Sequence, residues 1–234
     1  FLFTIRRFDD AEKAYEKIVQ AYADDNLNVA DLDQVLRRQM QVMARLKRDP
    51  KGAVRVLGLA LKNEKLPLMI RRNVEAWLEQ FKAWDQEQDP DLKKIKLEAV
   101  ATWAESKLKE SLNDRAITGS DPHFVNYLRV SGILFQALNQ KAKDTERVNL
   151  LYWLGIAEKH LQSGFYFPIS DLYFRECMHL GKRNPVAQKC YKEYEASLMM
   201  GYRVNDRESD VPVEVQTQLK GLRELVGLAE EAGK

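Results

Sequence analysis

The 234-residue sequence is poor in turn-forming residues and has no long apolar run. Its 11 glycines and 7 prolines lie between long periodic segments. A β-sandwich or β-barrel would need turn residues at intervals of about 8–12 residues, so these classes are excluded. The longest apolar run, residues 150–157, is far shorter than the roughly 20 residues that cross a bilayer. The sequence therefore predicts a soluble protein without a transmembrane segment.

Motifs for catalysis and metal binding are also scarce. The sequence has no glycine-rich phosphate loop, and its three histidines are scattered without the spacing of metal ligands. Residues 24–35 resemble a calcium loop only at their start, because the positions that require Gly and Glu hold Val29 and Val35. We therefore expect no metal, no cofactor and no enzymatic activity.

Apolar residues recur at helical spacing along most of the chain, as in the stripe Leu32, Leu36, Met40, Met43 and Leu46. Such a stripe is typical of a helix that packs one face on a core. The pattern predicts an all-α protein of about ten helices. Their expected ranges are 8–25, 29–48, 50–62, 66–86, 91–112, 121–139, 144–163, 167–181, 185–203 and 212–231.

Several predicted helices begin with a capping side chain followed by proline, a favoured pair at helix N-termini. These pairs are Asp49 with Pro50, Asp121 with Pro122, and Asn184 with Pro185. The short connections make consecutive helices antiparallel neighbours. The sequence therefore predicts an array of antiparallel helical hairpins.

Residues 50–81 resemble one HEAT-type repeat. The likeness lies in an apolar helix at 53–61 and in the apolar-Arg-Arg opening of a second helix at 70–72. Asn73 and Trp77 depart from the family pattern, which usually has smaller residues there, and no second clear copy follows.

Residues 150–203 resemble a tetratricopeptide repeat. The positions that match in kind are Trp153, Gly164, Tyr166 and Tyr173, and those that depart are His160 and Ile169. Gly164 allows a sharp turn, and the aromatic side chains fill the wedge between two antiparallel helices.

Together the two resemblances imply a right-handed α-solenoid, an architecture that generally binds other proteins. The polar segment 111–120 is the best candidate for a domain boundary. It predicts a HEAT-like block at residues 1–112 and a tetratricopeptide-like block at residues 121–234. The last helix, 212–231, has an apolar stripe and is expected to cap the array.

Charge is distributed in blocks along the N-terminal half. Residues 8–36 have eight acids and two Lys, a net charge of −6. Residues 37–72 have eleven Lys or Arg and two acids, a net charge of +9. Residues 75–92 have six acids and one Lys, a net charge of −5. The basic block predicts an anionic partner such as nucleic acid, anionic lipid or an acidic protein surface. The residues that would carry this binding are Arg37, Arg45, Arg48, Arg71 and Arg72.

The alternative is that the basic block packs beside its acidic neighbours and is neutralised within the molecule. The whole chain has a formal charge of only +2, which makes nucleic acid the less favoured partner.

Aromatic residues are dense in the C-terminal half. Helical periodicity cannot bury adjacent aromatic residues on one side, so part of this surface is expected in a groove of the array. Exposed aromatic side chains are common anchors at protein interfaces. The candidates are Tyr152, Phe165, Tyr166, Phe167 and Tyr202. Simple packing between successive hairpins is the alternative.

The two cysteines lie at similar distances from one predicted turn. Cys177 precedes Gly181 by four residues, and Cys190 follows Pro185 by five. This spacing permits a disulfide across an antiparallel hairpin. The bridge favours an exported, periplasm-like location, whereas two buried thiols would fit the cytoplasm. Residue 1 is Phe rather than Met, so a signal peptide or a lipid anchor before residue 1 is a further expectation.

Three functional hypotheses follow. The leading one is a non-enzymatic scaffold that binds another protein or peptide through a groove surface. The second is an adaptor that binds an anionic partner through residues 37–72. The third is a helical appendage of a larger enzyme.

Overall fold

A computed structural model describes residues 7–24, 32–113, 122–140, 143–161, 168–202 and 211–228. Every regular element in these ranges is helical, which confirms the predicted all-α class. The helices are α1 Phe8–Ala23, α2 Leu32–Gln41, α3 Pro50–Ala60, α4 Leu68–Asp85, α5 Leu97–Asn113, α6 Phe124–Leu138, α7 Asp144–Leu161, α8 Ile169–Gly181, α9 Pro185–Tyr202 and α10 Val213–Leu225. A π-helical segment, Val42–Lys47, extends α2.

Two of the predicted caps are present. The side chain of Asp49 accepts a hydrogen bond from the Gly52 N–H (2.9 Å), and Asn184 Oδ1 accepts one from the Val186 N–H (2.8 Å). Both bonds satisfy amide groups that a helix start leaves without partners. The third predicted cap, Asp121, lies outside the described residues.

The start of α5 differs from the prediction by six residues. The prediction placed it at residue 91, but Asp91 organises a separate turn. Its side chain accepts the Lys93 N–H (3.1 Å) and its carbonyl accepts the Lys94 N–H (2.9 Å). Asp side chains compete with helix formation in this way, so the helix begins only at Leu97.

The chain divides into two compact units, and the division falls within α5 and within α6. The first unit contains Phe1–Pro90 and Ser106–Ile133, and the second contains Asp91–Glu105 and Leu134–Lys234. These limits differ from the predicted boundary at 111–120. Residues 114–121 lie outside the described residues, and the two predicted blocks stay a prediction.

The core of the first unit is built from the inner faces of α1 to α4, the π-helical segment and α6. Trp77 and Phe81 on α4 are fully buried, and the Trp77 ring lies 5.0 Å from the ring of Phe124. Gly132 of α6 permits a close approach of backbones, since a Cβ atom there would lie 3.1 Å from the Arg45 Cα atom.

The second unit is built from helical hairpins. Helices α7 and α8 are antiparallel, because Gly155 of α7 lies against Phe174 of α8 while Val148 lies beside Gly181. Helix α8 also packs on α9, and α7 contacts α9. This arrangement is compatible with helical repeats, and its handedness stays a prediction.

The predicted disulfide is present between α8 and α9. Cys177 and Cys190 are bonded, their Cα atoms lie 6.4 Å apart, and both side chains are fully buried. The bond joins the two helices on opposite sides of their turn.

Helix α10 docks on α9 in antiparallel orientation. Gln218 Nε2 donates to the Tyr194 hydroxyl (2.9 Å), and Gln188 Nε2 donates to the Val226 carbonyl (3.2 Å). Its apolar stripe faces inward through Leu219, with Leu222 and Val226 also buried. Within the described residues, no helix is both long and apolar enough to cross a membrane.

Candidate protein-binding surface

Helices α7 and α9 form one surface of the second unit. Each is the first helix of a hairpin, α7 with α8 and α9 with α10, and the two run in the same direction. Four side chains link them on this side, and we call this surface the α7–α9 face. Its members are Tyr152 and Lys159 from α7 and Lys189 and Glu193 from α9.

Tyr152 is the aromatic centre of the α7–α9 face. Its ring lies edge to face with the Trp153 ring at 4.9 Å between centroids, and the Lys189 ammonium lies 5.9 Å from the ring centroid. Both aromatic side chains are half-buried, and Lys189 is exposed. Burial raises the pKa of the Tyr152 hydroxyl, and the negative charges of Glu193 and Glu105 raise it further. The hydroxyl therefore stays protonated and can donate a hydrogen bond to a ligand.

The second link is an ion pair farther along the two helices. Lys159 Nζ lies 2.8 Å from Glu193 Oε2, and both side chains are partly exposed. The i, i+7 spacing of Tyr152 and Lys159 places them on the same side of α7. The face thus presents an aromatic ring, a phenol donor, an ammonium group and a carboxylate at fixed positions.

Of the four members of this face, the sequence predicts Tyr152 but not Lys159, Lys189 or Glu193. The sequence alone shows the i, i+7 spacing of Tyr152 and Lys159 and the i, i+4 spacing of Lys189 and Glu193. What the sequence did not show is that α7 and α9 contact each other, since α8 and two turns separate them in the chain.

Of the other predicted aromatic anchors, the structure describes Tyr202. Phe165, Tyr166 and Phe167 lie outside the described residues. Tyr202 is partly exposed at the C-terminal end of α9. It lies 13 residues beyond Lys189, which is about 20 Å along a helix.

The predicted anion-binding arginines occupy separate environments in the first unit. The Arg37 guanidinium lies 5.1 Å from the Trp77 ring and 4.9 Å from the Phe124 ring, and its Nε donates to Asp33 (2.7 Å). Arg45 is part-buried with its backbone against Gly132. Arg37 therefore packs in an aromatic and acidic environment.

The remaining three arginines precede or follow α3 in the chain. Arg48 ends the π-helical segment in the left-handed conformation, at φ 53°. Arg71 donates to the carbonyl of Asn63 (2.8 Å), and Arg72 is exposed on α4. Arg71 and Arg72 are adjacent near the start of α4, and anion binding by the five arginines stays a prediction.

Ion pairs connect the basic block to the acidic helix α1. Lys47 pairs with Asp9 at 2.9 Å and also with Glu12, and Arg55 pairs with Glu16. The hydrogen bond from Lys47 holds the pKa of Asp9 below its usual value, and that from Arg55 does the same for Glu16. Part of the basic block is thus neutralised within the molecule, as the alternative interpretation predicted.

The three histidines lie before α6, on α7 and on α8. His123 is part-buried before α6, and His160 and His179 are exposed. Among the residues that the structure describes, no group of three His, Cys, Asp or Glu side chains could hold a metal ion.

Comparison of the chain with protein-family models, with curated proteins and with solved structures finds no match. The HEAT-like and tetratricopeptide-like resemblances therefore rest on the sequence pattern and on the helical hairpins.

Proposed function

We propose that this protein is a non-enzymatic helical scaffold that binds another protein or a peptide on the α7–α9 face. The observation that carries the proposal is the position of Tyr152, which is half-buried between Trp153 and Lys189 and is held there by neighbours from two helices. Tyr and Trp are enriched in the centres of protein interfaces, where they contribute contact area at low entropic cost.

The charged groups of the face suit a polar peptide partner. Lys189 offers an exposed ammonium, and the Lys159–Glu193 pair offers one charge of each sign. Charges of this kind determine orientation and specificity more than affinity. A partner would therefore place an apolar or aromatic group near Tyr152 and a carboxylate near Lys189.

The finer architecture belongs to the same proposal. The α7–α8 and α9–α10 hairpins would be tetratricopeptide-like units, and the α3–α4 hairpin would be a HEAT-like unit. First helices of successive hairpins commonly line the binding surface of such arrays. The α7–α9 face has this position.

An exported, periplasm-like location is also part of the proposal. The Cys177–Cys190 disulfide supports it, because structural disulfides persist in oxidising compartments. Two alternatives remain as proposals: an adaptor for an anionic partner that uses residues 37–72, and an appendage of a larger enzyme. The ion pairs of Lys47 and Arg55 with α1 weigh against the first of these.

A quantitative pull-down from extracts of the native source tests the proposal. We would compare the wild type with Lys189→Glu and with the double variant Tyr152→Ala, Lys189→Glu. The matched control is Lys109→Glu, an exposed lysine on α5. We expect one protein to be retained at 0.5 M salt by the wild type and the control, and at least tenfold less by the α7–α9 variants.

Equal retention by all variants would contradict the proposed surface. Retention only at low salt, together with strong binding to heparin, would instead support the anion adaptor. Thermal melts of each variant ensure that a lost interaction does not reflect lost folding.

A further inference from the structure

The connection between α3 and α4 ends in an exposed apolar pair. Leu68 and Met69, the first two residues of α4, are 62% and 39% exposed, and Pro67 before them is also exposed. Leu66, only two residues earlier, is buried. The local core is therefore satisfied without Leu68 and Met69, and their apolar surface faces solvent.

Basic residues flank this pair in the sequence. Lys62, Lys65 and Arg72 are exposed and Arg71 is part-buried, whereas Glu64 is the single acid in residues 62–72. The net charge of this segment, which we call the α3–α4 tip, is +3 from four cations and one acid. The next acid, Glu75, follows Arg72 by almost one turn of α4.

The α3–α4 tip is fixed to the first unit by hydrogen bonds of Asn63. The buried Asn63 amide donates to the Tyr22 carbonyl of α1 (2.7 Å), and its Oδ1 accepts the Lys65 N–H (2.8 Å). Arg71 donates to the Asn63 carbonyl (2.8 Å). The apolar pair is therefore presented by an ordered turn.

We propose that the α3–α4 tip docks on an anionic lipid surface. Leu68 and Met69 would enter the boundary between headgroups and acyl chains, while Lys62, Lys65 and Arg72 would lie at the level of the lipid phosphates. A small apolar group combined with surrounding cations is what interfacial binding requires, because burial and attraction to anionic headgroups add together.

The exposed Leu–Met pair disfavours nucleic acid as the partner of the α3–α4 tip. Nucleic-acid backbones are bound by cations and stacked aromatic side chains, and an exposed Leu–Met pair contributes nothing to such contacts. The tip lies in the first unit, so this inference is independent of the α7–α9 face.

Flotation of the full chain with vesicles tests the proposal. The probes are vesicles of phosphatidylcholine alone and of phosphatidylcholine with 30% phosphatidylglycerol. We expect binding at least tenfold stronger to the anionic vesicles, and at least a tenfold loss for Leu68→Ser, Met69→Ser. The matched control is Leu172→Ser, Met200→Ser, which removes two apolar side chains that are 63% and 71% exposed in the second unit. Because all four residues are exposed, both variants should fold and the control should bind like the wild type.

An environment-sensitive fluorophore locates the contact. The native cysteines are joined in a buried disulfide, so a thiol label attaches to a cysteine introduced by Met69→Cys or by Leu172→Cys. We expect a blue shift on anionic vesicles at position 69 and none at position 172. Absence of vesicle binding, or binding that the Leu68→Ser, Met69→Ser change leaves intact, would overturn the proposal.

Discussion

Cys177 on α8 and Cys190 on α9 lie with their Cα atoms 6.4 Å apart and are joined by a fully buried disulfide. Helix α8 packs on both α7 and α9. The disulfide therefore joins the α7–α8 hairpin to the α9–α10 hairpin. The first helices of these two hairpins form the α7–α9 face.

Removal of this disulfide should destabilise the second unit. In the chain-entropy model, closing a loop of this size contributes about 3 kcal/mol to the free energy of unfolding. We expect Cys177→Ala, Cys190→Ala to lower that free energy by about this amount in urea denaturation. A reductant added during urea denaturation should lower the free energy of unfolding of the wild type by a similar amount. It should leave that of the double variant unchanged.

The redox state in the native compartment is a separate test. Alkylation without reductant, followed by mass spectrometry of the intact chain, should show no labelled thiol. Two alkylated cysteines would contradict both the bridge and the exported location.

Gly155 should be intolerant of any side chain. A Cβ atom there would lie 2.5 Å from a ring carbon of Phe174, so Gly155→Ala forces the buried Phe174 ring or the packing of α7 on α8 to shift. Overpacking of this kind costs about 1–3 kcal/mol, which urea denaturation would measure. The control is Gly221→Ala on α10, which meets no neighbouring atom within 4 Å and should be neutral or stabilising by up to about 1 kcal/mol. Equal effects at both glycines would contradict the packing described for α7 and α8.

Arg129 should be important for the stability of the first unit. Its guanidinium, 4% exposed, pairs with Glu87 (2.7 Å) and Asp89 (2.8 Å) and lies 4.9 Å from the Trp84 ring. We expect Arg129→Met to lower the free energy of unfolding by about 2–3 kcal/mol, because it removes charge-assisted hydrogen bonds at a buried site. The control Lys82→Met breaks an exposed pair with Glu79 and should cost less than about 0.5 kcal/mol.

The effect of Arg129→Met should depend on pH. Burial raises the pKa of Glu87, but the hydrogen bonds and charges of Lys107 and Arg129 outweigh burial and hold it below the ordinary value of 4.5. A lowered folded-state pKa means that the stabilisation is present above that ordinary value and is lost as the pH falls through the folded-state pKa. The difference in the free energy of unfolding between wild type and Arg129→Met, measured by urea denaturation, should therefore shrink below about pH 4.5. A difference that grows at acidic pH would contradict this assignment.

The helices of the described residues and most of their limits could be predicted from sequence because the apolar period and caps are local signals. Asp49 and Asn184 cap helices as expected, whereas Asp91 was misjudged because its side chain forms a turn of its own. The disulfide was predictable because the two cysteines lie at similar distances on either side of one short turn.

Contacts between helices distant in sequence could not be predicted. Nothing local indicates that Arg37 packs against Trp77 and Phe124, or that Lys189 lies over Tyr152. The charge blocks showed which residues could pair, but only the packing of α1 shows that Lys47 contacts Asp9 and Glu12.

Site-specific photo-crosslinking tests the central claim, binding of a protein or peptide on the α7–α9 face, most directly. A photoreactive amino acid would replace Lys189 on the face and, as a control, the exposed Lys109 on α5, in cells that make the protein. We expect one defined protein adduct from position 189 and none from position 109. The same adduct from both positions, or an adduct from position 109 alone, would contradict binding on the α7–α9 face.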